Sequence, residues 1–328
     1  MRAIRVRDDA GRSLSWEQVP EPELGHDEVL LRIHATAVNR ADLLQREGKY
    51  PPPPGAPEYL GLEAAGIIER AGPGAEPWQA GDRAACLLAG GGYAERVAVH
   101  RDLLLPIPSS LSLAQASSLP EAFATAWLNL VIEGELKSGE TALIHAGASG
   151  VGLAAIQVAK LRGAQVITTV GTAAKAQRVR ELGADDVIVH AKENVTERLK
   201  HLGAQRVPGG IDVALDCLGG EELEHHLPLM NVGGRWIVIG LMRGRYVALD
   251  LRPILSRRLR VIGSTLRARP LSEKARVLRE LRAEVWPALG TGTVRPVIHA
   301  EFPITEVEEA HAVVQRNENI GKVVLTVP

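Results

Sequence analysis

The chain has 328 residues with 38 Lys+Arg against 39 Asp+Glu, a formal net charge of −1, which argues against a polycationic nucleic-acid clamp. With 45% hydrophobic and 23% charged residues it has a globular composition, and at roughly 100–200 residues per domain its length suggests about two domains. No apolar run reaches the ~18 residues of a membrane span, no secretory core follows Met1, and two cysteines, Cys86 and Cys217, exclude a disulfide scaffold, so a cytoplasmic protein with no membrane partner is expected.

The first third of the chain reads as short strands and turns. Residues 28–33 are apolar and rich in β formers, with the strand ending near Ala37. Residues 64–69 and 83–88 are similar, and Gly and Pro punctuate them as in a small all-β domain. The run Pro51-Pro52-Pro53-Pro54-Gly55 is a stiff loop whose prolines donate no hydrogen bond, either a connector or the rim of a pocket. From Pro120 the character changes. Residues 121–132 predict a helix, and a strand–helix alternation follows: strand 141–145, helix 150–161 with apolar positions at Val151, Ala154, Ala155 and Val158, strand 165–170, helix 175–182, then strands 186–190, 211–216, 235–240 and 260–264. These strands are near-continuous apolar runs, the mark of a parallel sheet covered on both faces. Six of them with crossover helices make a doubly wound α/β domain.

Beyond it, residues 272–289 predict an amphipathic helix with Val277, Leu278, Leu281 and Val285 on one face. Thr305-Glu306-Val307-Glu308 has the spacing of a capping box opening a second helix. Residues 322–327 form a closing strand that must pair outside the completed sheet, with the N-terminal β domain. The expected division is residues 1–120 with 266–328, and residues 121–265.

The strongest local signal is His145-Ala146-Gly147-Ala148-Ser149-Gly150-Val151-Gly152. It follows a strand and opens a helix, the context a dinucleotide loop requires, although Ser149 stands where the middle glycine of G-x-G-x-x-G belongs. Gly147 suits the tight turn, Gly152 suits close helix–strand packing, and the backbone at Ser149, Gly150 and Val151 can hold a pyrophosphate. A hydrolase nucleophile elbow would need glycine at position 151, which is Val151. An NAD site usually offers an acid on the ribose at the end of the next strand. Here that strand runs into Gly171-Thr172-Ala173-Ala174-Lys175 with no acid, and Thr172 and Lys175 suit an adenosine 2′-phosphate. NADPH is the expected cofactor.

Residues 39–50 (Asn39-Arg40-Ala41-Asp42-Leu43-Leu44-Gln45-Arg46-Glu47-Gly48-Lys49-Tyr50), the proline loop after them, Pro120-Glu121-Ala122, Thr125-Ala126, the glycine loop, Asp216-Cys217-Leu218-Gly219-Gly220, Gly234-Arg235-Trp236, Gly240-Leu241-Met242 and Asn319-Ile320-Gly321-Lys322 resemble the zinc-free quinone oxidoreductases of the medium-chain dehydrogenase/reductase superfamily. These are typified by zeta-crystallin, and the tumour-suppressor-inducible NADPH:quinone reductases are the nearer subgroup. The resemblance spans essentially the whole chain. It implies a Rossmann domain and a mostly β, GroES-like catalytic domain, with cofactor and substrate meeting in a cleft. In the superfamily's zinc enzymes a cysteine ligand falls where this chain has Asn39, and a histidine ligand falls on Leu62 of Gly61-Leu62-Glu63, so no metal is expected there. His225-His226 reads as a polar helix face, and Cys217 as packing or lining the cofactor crevice.

Without a Lewis acid the suited acceptor is one that takes hydride readily, a quinone or an activated alkene. The resemblance implies that Gly240, Leu241, Met242 and Thr125 meet the nicotinamide side, with Leu266 and Asn319 as weaker contributors, and that His190 stands where relatives place a phosphate-touching tyrosine. Tyr50 and Asn39 are the substrate-side candidates, Tyr50 as a hydrogen-bond or proton donor. The leading reading is an NADPH:quinone oxidoreductase. A zinc-free 2-enoyl reductase is the runner-up, and a non-catalytic structural or RNA-binding protein is the alternative of another class. The resemblance also implies a homodimer, with residues 260–264 as a sheet edge able to pair with a second copy.

Overall fold

The computed structural model describes residues 1–205 and 209–328. The chain divides into two compact units, Met1–Ala124 with Arg267–Pro328, and Thr125–Leu266.

In the first unit β1 (Arg2–Val6) and β2 (Leu14–Gln18) form an antiparallel hairpin. The main sheet is built on β3 (Glu28–Val38), which pairs antiparallel with β4 (Glu63–Ala71). It continues through β5 (Arg83–Leu87), β6 (Arg96–His100) and β7 (Leu104–Pro106). Val29, Leu31 and Ile33 of β3 face a core shared with Ile68, Tyr93 and Val99, as alternate residues of a strand do, while Leu30 between them is buried as well.

The second unit holds β8 (Thr141–Ile144), β9 (Gln165–Val170), β10 (Asp186–Val189), β11 (Ile211–Asp216), β12 (Met230–Val238) and β13 (Arg260–Gly263). Among the described residues these form one six-stranded sheet in the order β10-β9-β8-β11-β12-β13, every pair parallel. Chain direction across the sheet reverses between β8 and β11, so the loops after these strands diverge and leave the crevice in which such sheets bind ligands. Helices Gly150–Leu161, Ala173–Glu181 and Val195–Ala204 are the crossovers. The helix expected over 121–132 is α-helical over Pro120–Trp127 and widens to a π-helical turn at Leu128–Glu133.

The chain then returns to the first unit with β14 (Ile298–Pro303) and β15 (Lys322–Thr326). β15 pairs antiparallel with β3, Val323 opposite Val38 and Thr326 opposite Ala35, and carries β14 on its other side. The closing strand therefore pairs as its sequence predicts.

Three local expectations need correction. The helix over 272–289 is two, Leu271–Glu284 and Trp286–Gly290. Pro287 has no N–H for the carbonyl four residues back, so the ladder breaks at Val285. Its four apolar positions are nonetheless buried. No capping box opens the second helix, which begins at Val307 after a 3-10 turn and carries no side-chain cap. Glu308 is engaged elsewhere: its carboxylate pairs with Arg46 at 2.7 Å and accepts the Leu14 N–H at 2.8 Å. His226 is not on a polar face but buried, its ring stacked on His145. No helix among the described residues is long and apolar enough to cross a membrane.

Candidate functional site

In the Rossmann unit the loop after β8 carries the first set of groups. Ala146 sits at a positive φ of 52°, which turns the chain sharply out of the strand. A Cβ on Gly152 would lie 2.4 Å from the Ala146 carbonyl oxygen, so only glycine lets the helix start this close to the loop. Ser149 is the N-cap and its Oγ accepts the Gly152 N–H at 3.0 Å. The first N–H groups of any helix lack intrahelical partners. Those of Gly150 and Val151 are thus presented to an anion, with the helix dipole behind them.

The ends of β9 and β10, adjacent in the sheet, bring the second set together. Thr172 caps the helix Ala173–Glu181, its Oγ1 accepting the Lys175 N–H at 3.3 Å and keeping its own proton to donate. A Cβ on Gly171 would come within 3.5 Å of His190 Nε2, so these residues share one small space. Burial lowers the Lys175 pKa. Burial, then the Arg243 charge, lowers that of His190, which leaves it a neutral imidazole at physiological pH rather than a second cation. Arg243 was not singled out by sequence reasoning. It follows Gly240-Leu241-Met242 directly, and its charge is felt at His190 and at His145.

The loop after β12 leans on the loop after β11: Met242 N–H donates to the Cys217 carbonyl at 3.2 Å, and a Cβ on Gly240 would sit 2.9 Å from that oxygen. Leu241 and Met242 remain about half exposed. The Thr125 carbonyl accepts from Asn129, and Leu266 is buried. Asn319 belongs to the first unit, where it donates to the Gly321 carbonyl at 2.7 Å.

In that first unit Asn39 belongs to a buried polar cluster. Lys322 Nζ donates to Glu63 Oε1 at 2.6 Å, to Asn39 Oδ1 at 2.6 Å and to the Val38 carbonyl at 3.1 Å, which uses all three of its protons. Glu63 is 0% exposed and Lys322 5%. Glu63 Oε1 also accepts from Asn39 Nδ2 at 3.1 Å, and Oε2 from the Glu121 N–H at 2.9 Å. Tyr50 stands in a second cluster. The Arg267 guanidinium lies 5.3 Å from the Tyr50 ring centroid, donates to its carbonyl at 3.3 Å, and is anchored by Gln45 at 2.7 Å. Burial, then the charge of Glu121, raises the Tyr50 pKa. No hydrogen bond joins Tyr50 to Asn39 among those observed. A third, fully buried group lies below: Asp42 accepts the N–H groups of Asn39 and Gly61 at 2.8 and 2.9 Å and the Tyr93 hydroxyl at 3.3 Å, and Tyr93 meets His311 at 3.1 Å.

The catalytic zinc of the medium-chain dehydrogenases can be tested against these residues. Leu62 replaces the ligating histidine and is buried, and Asn39 turns its amide oxygen to an ammonium. A cation, Lys322, already compensates Glu63. A zinc ion would meet too few ligands and a like charge, so the residues present do not fit it.

Comparison with known proteins agrees with this architecture. Residues 25–109 match the alcohol dehydrogenase GroES-like domain and residues 150–283 the zinc-binding dehydrogenase family. A quinone oxidoreductase of Rattus norvegicus is 31% identical over 99% of this chain and 97% of its own. The Thermus thermophilus quinone oxidoreductase, solved alone and with NADPH, is 33% identical with a TM-score of 0.83 over 99% of this chain and 100% of its own. The JamJ enoyl reductase is 26% identical with a TM-score of 0.85 over 100% and 99% of the two chains.

Proposed function

The chain belongs to the quinone oxidoreductase family of medium-chain NAD(P)-dependent oxidoreductases, and we propose that it reduces a quinone with NADPH and uses no metal at the reacting centre. The observation that carries this reading is the buried Lys322 ammonium bound to Glu63 and Asn39, two residues of the segments in which the resemblance puts the zinc enzymes' ligands. An acceptor reduced here has no Lewis acid to polarise it, so it must accept hydride readily.

NADPH, when bound, supplies the hydride from its nicotinamide ring. The Gly150 and Val151 N–H groups take the pyrophosphate. Thr172 donates its hydroxyl proton and Lys175 its charge to the 2′-phosphate, with neutral His190 adding one hydrogen bond. The backbone of Gly240, Leu241 and Met242 orients the ring amide. Tyr50, held protonated by burial and by Glu121, donates to the acceptor oxygen as negative charge develops there. Asn39 donates to Glu63 and to the Ala37 carbonyl and accepts from Lys322, so its part is to hold that charge pair in place rather than to donate to the acceptor.

The test is NADPH oxidation against a panel of small quinones, an enone and a crotonyl thioester, at saturating NADPH with and without a chelator. Quinone turnover that survives chelation supports the proposal. Turnover of the thioester alone would assign the chain to the enoyl reductases, and loss of quinone turnover with chelator, in a protein that keeps its melting temperature and its NADPH affinity, would overturn the metal-free chemistry. The exposed Val261 on edge strand β13 supports a homodimer, checked by sedimentation.

A further inference from the structure

The Rossmann unit holds a second concentration of chemistry that the proposed reaction does not use. Gly219 and Gly220, at φ of 65° and 62°, turn the chain out of β11 into the short helix Glu221–His226. Glu222 and His226 are four residues apart and so share one face of it. That face meets His145, the residue immediately after β8. The imidazoles of His145 and His226 stack with centroids 5.6 Å apart, and Trp236 closes the side at 6.0 and 6.1 Å. His145 is 3% exposed and His226 1%.

Each ring is fixed through one nitrogen by a threonine. His145 Nδ1 lies 3.1 Å from Thr169 Oγ1, and His226 Nε2 lies 3.2 Å from Thr196 Oγ1. The other nitrogens, His145 Nε2 and His226 Nδ1, are buried and have no hydrogen-bond partner. Glu222 Oε2 stands 3.5 Å from His226 Nδ1, beyond good hydrogen-bond reach, while Arg243 binds the other oxygen, Oε1. Nearby Asp216 is no competitor, because its two oxygens are taken by the N–H groups of Leu218 and Gly219 and by the Trp236 indole. When both rings donate to their threonines, two nitrogen lone pairs and a carboxylate oxygen are left close together with no proton on either nitrogen, and one ion could take all three once the stacked rings rotate toward it. What the two nitrogens lack is an electron-pair acceptor, the Arg243 charge being held at the far oxygen of Glu222.

We propose that His145, His226 and Glu222 form a site for one divalent transition-metal ion of the zinc class, inside the nucleotide-binding unit and distinct from the metal position of the zinc dehydrogenases. One ligating atom from each of the three residues lies within 4.8 Å of the other two, so an ion at their centre is at most about 2.8 Å from each. Closing to the about 2.0–2.2 Å of Zn–N and Zn–O bonds takes a contraction of under ~1 Å. Two imidazoles and one carboxylate are a borderline donor set that suits zinc, cobalt or nickel better than magnesium or calcium. The threonine hydroxyls are the outer shell that metal-bound histidines use to set tautomer and orientation. Three protein ligands leave a fourth position for water. The ion would tie the end of β8, from which the glycine loop departs, to the helix after β11.

The test uses the full chain stripped with a chelator and then freed of it. Titration with Co²⁺ is expected to give one equivalent with visible ligand-field bands of a low-coordinate N/O site, displaced by Zn²⁺, and Zn²⁺ is expected to raise the melting temperature. Glu222→Gln, which keeps shape and removes the charge, is expected to weaken Co²⁺ binding more than 100-fold. Thr196→Val, which touches no ligand atom, is expected to weaken it 10–100-fold. Absence of the bands, or equal Co²⁺ affinity in wild type, Glu222→Gln and Thr196→Val, would overturn the site. These readouts are independent of quinone turnover, so the two proposals fail separately.

Discussion

Lys322→Met tests the compensation of Glu63 directly. Methionine keeps most of the lysine stem but removes three donated hydrogen bonds, to Glu63 Oε1, Asn39 Oδ1 and the Val38 carbonyl. Glu63, at 0% exposure, keeps only two uncharged donors, Asn39 Nδ2 and the Glu121 N–H. Removing one partner of a buried ion pair costs about 3–5 kcal/mol, because the remaining charge stays desolvated. At roughly 2–4 °C per kcal/mol for a domain of this class of size, the melting transition of the first unit should fall by roughly 6–20 °C. The double variant Lys322→Met/Glu63→Gln removes both charges and should recover at least half of that loss. The assay is near-UV circular dichroism melting at neutral pH on wild type, both single variants and the double. A Lys322→Met protein melting within ~2 °C of wild type, or a double variant no better than the single, would refute the reasoning.

Lys175→Ala should weaken NADPH binding by about 1.5–3 kcal/mol, roughly 10–150-fold, and leave NADH nearly unchanged; equal loss for both nucleotides would remove Lys175 from the 2′-phosphate. Tyr50→Phe should lower kcat for a quinone by roughly 10²–10³. Because the Tyr50 pKa is raised, wild-type activity should persist up to and beyond the ordinary phenol range and fall only above it; a Phe variant with wild-type kcat at every pH would exclude Tyr50 as donor. His311 is buried and its pKa is depressed to about 3 from 6.5, so its contribution to stability is present above pH 6.5 and is lost as pH falls below that value toward 3. Asp42, pushed up to about 6 by burial, acts in the opposite sense between about pH 4 and 6. Melting temperatures followed from pH 7.5 to 5 should therefore drop less in His311→Gln than in wild type, and parallel curves would show that His311 does not titrate with unfolding.

The Rossmann strands were legible because each is an apolar run bounded by glycine or by a helix signal, and a strand buried on both faces leaves that mark without reference to its neighbours. The glycine loop between β8 and its helix was legible for the same reason, being local in sequence. What escaped depends on partners distant along the chain. Lys322 stands in the sequence only as the first residue of the closing strand, and nothing near it in the chain points to Glu63 and Asn39, the partners the fold places beside it. His226 reads as exposed because six helical residues are too few to define which face is inward; Trp236 and His145 decide it. Arg243 has no motif around it, and its part comes from the neighbours that loop packing supplies.

The strand that seals the first sheet also has a consequence in time. Lys322, at the head of β15, is 283 positions from Asn39. During synthesis the carboxylate of Glu63 is made early and its counter-charge arrives only after the entire Rossmann unit has emerged. A ribosome-bound chain halted short of Lys322 should hold its early strands unsealed and protease-sensitive, while the intervening nucleotide unit already has every strand of its own sheet.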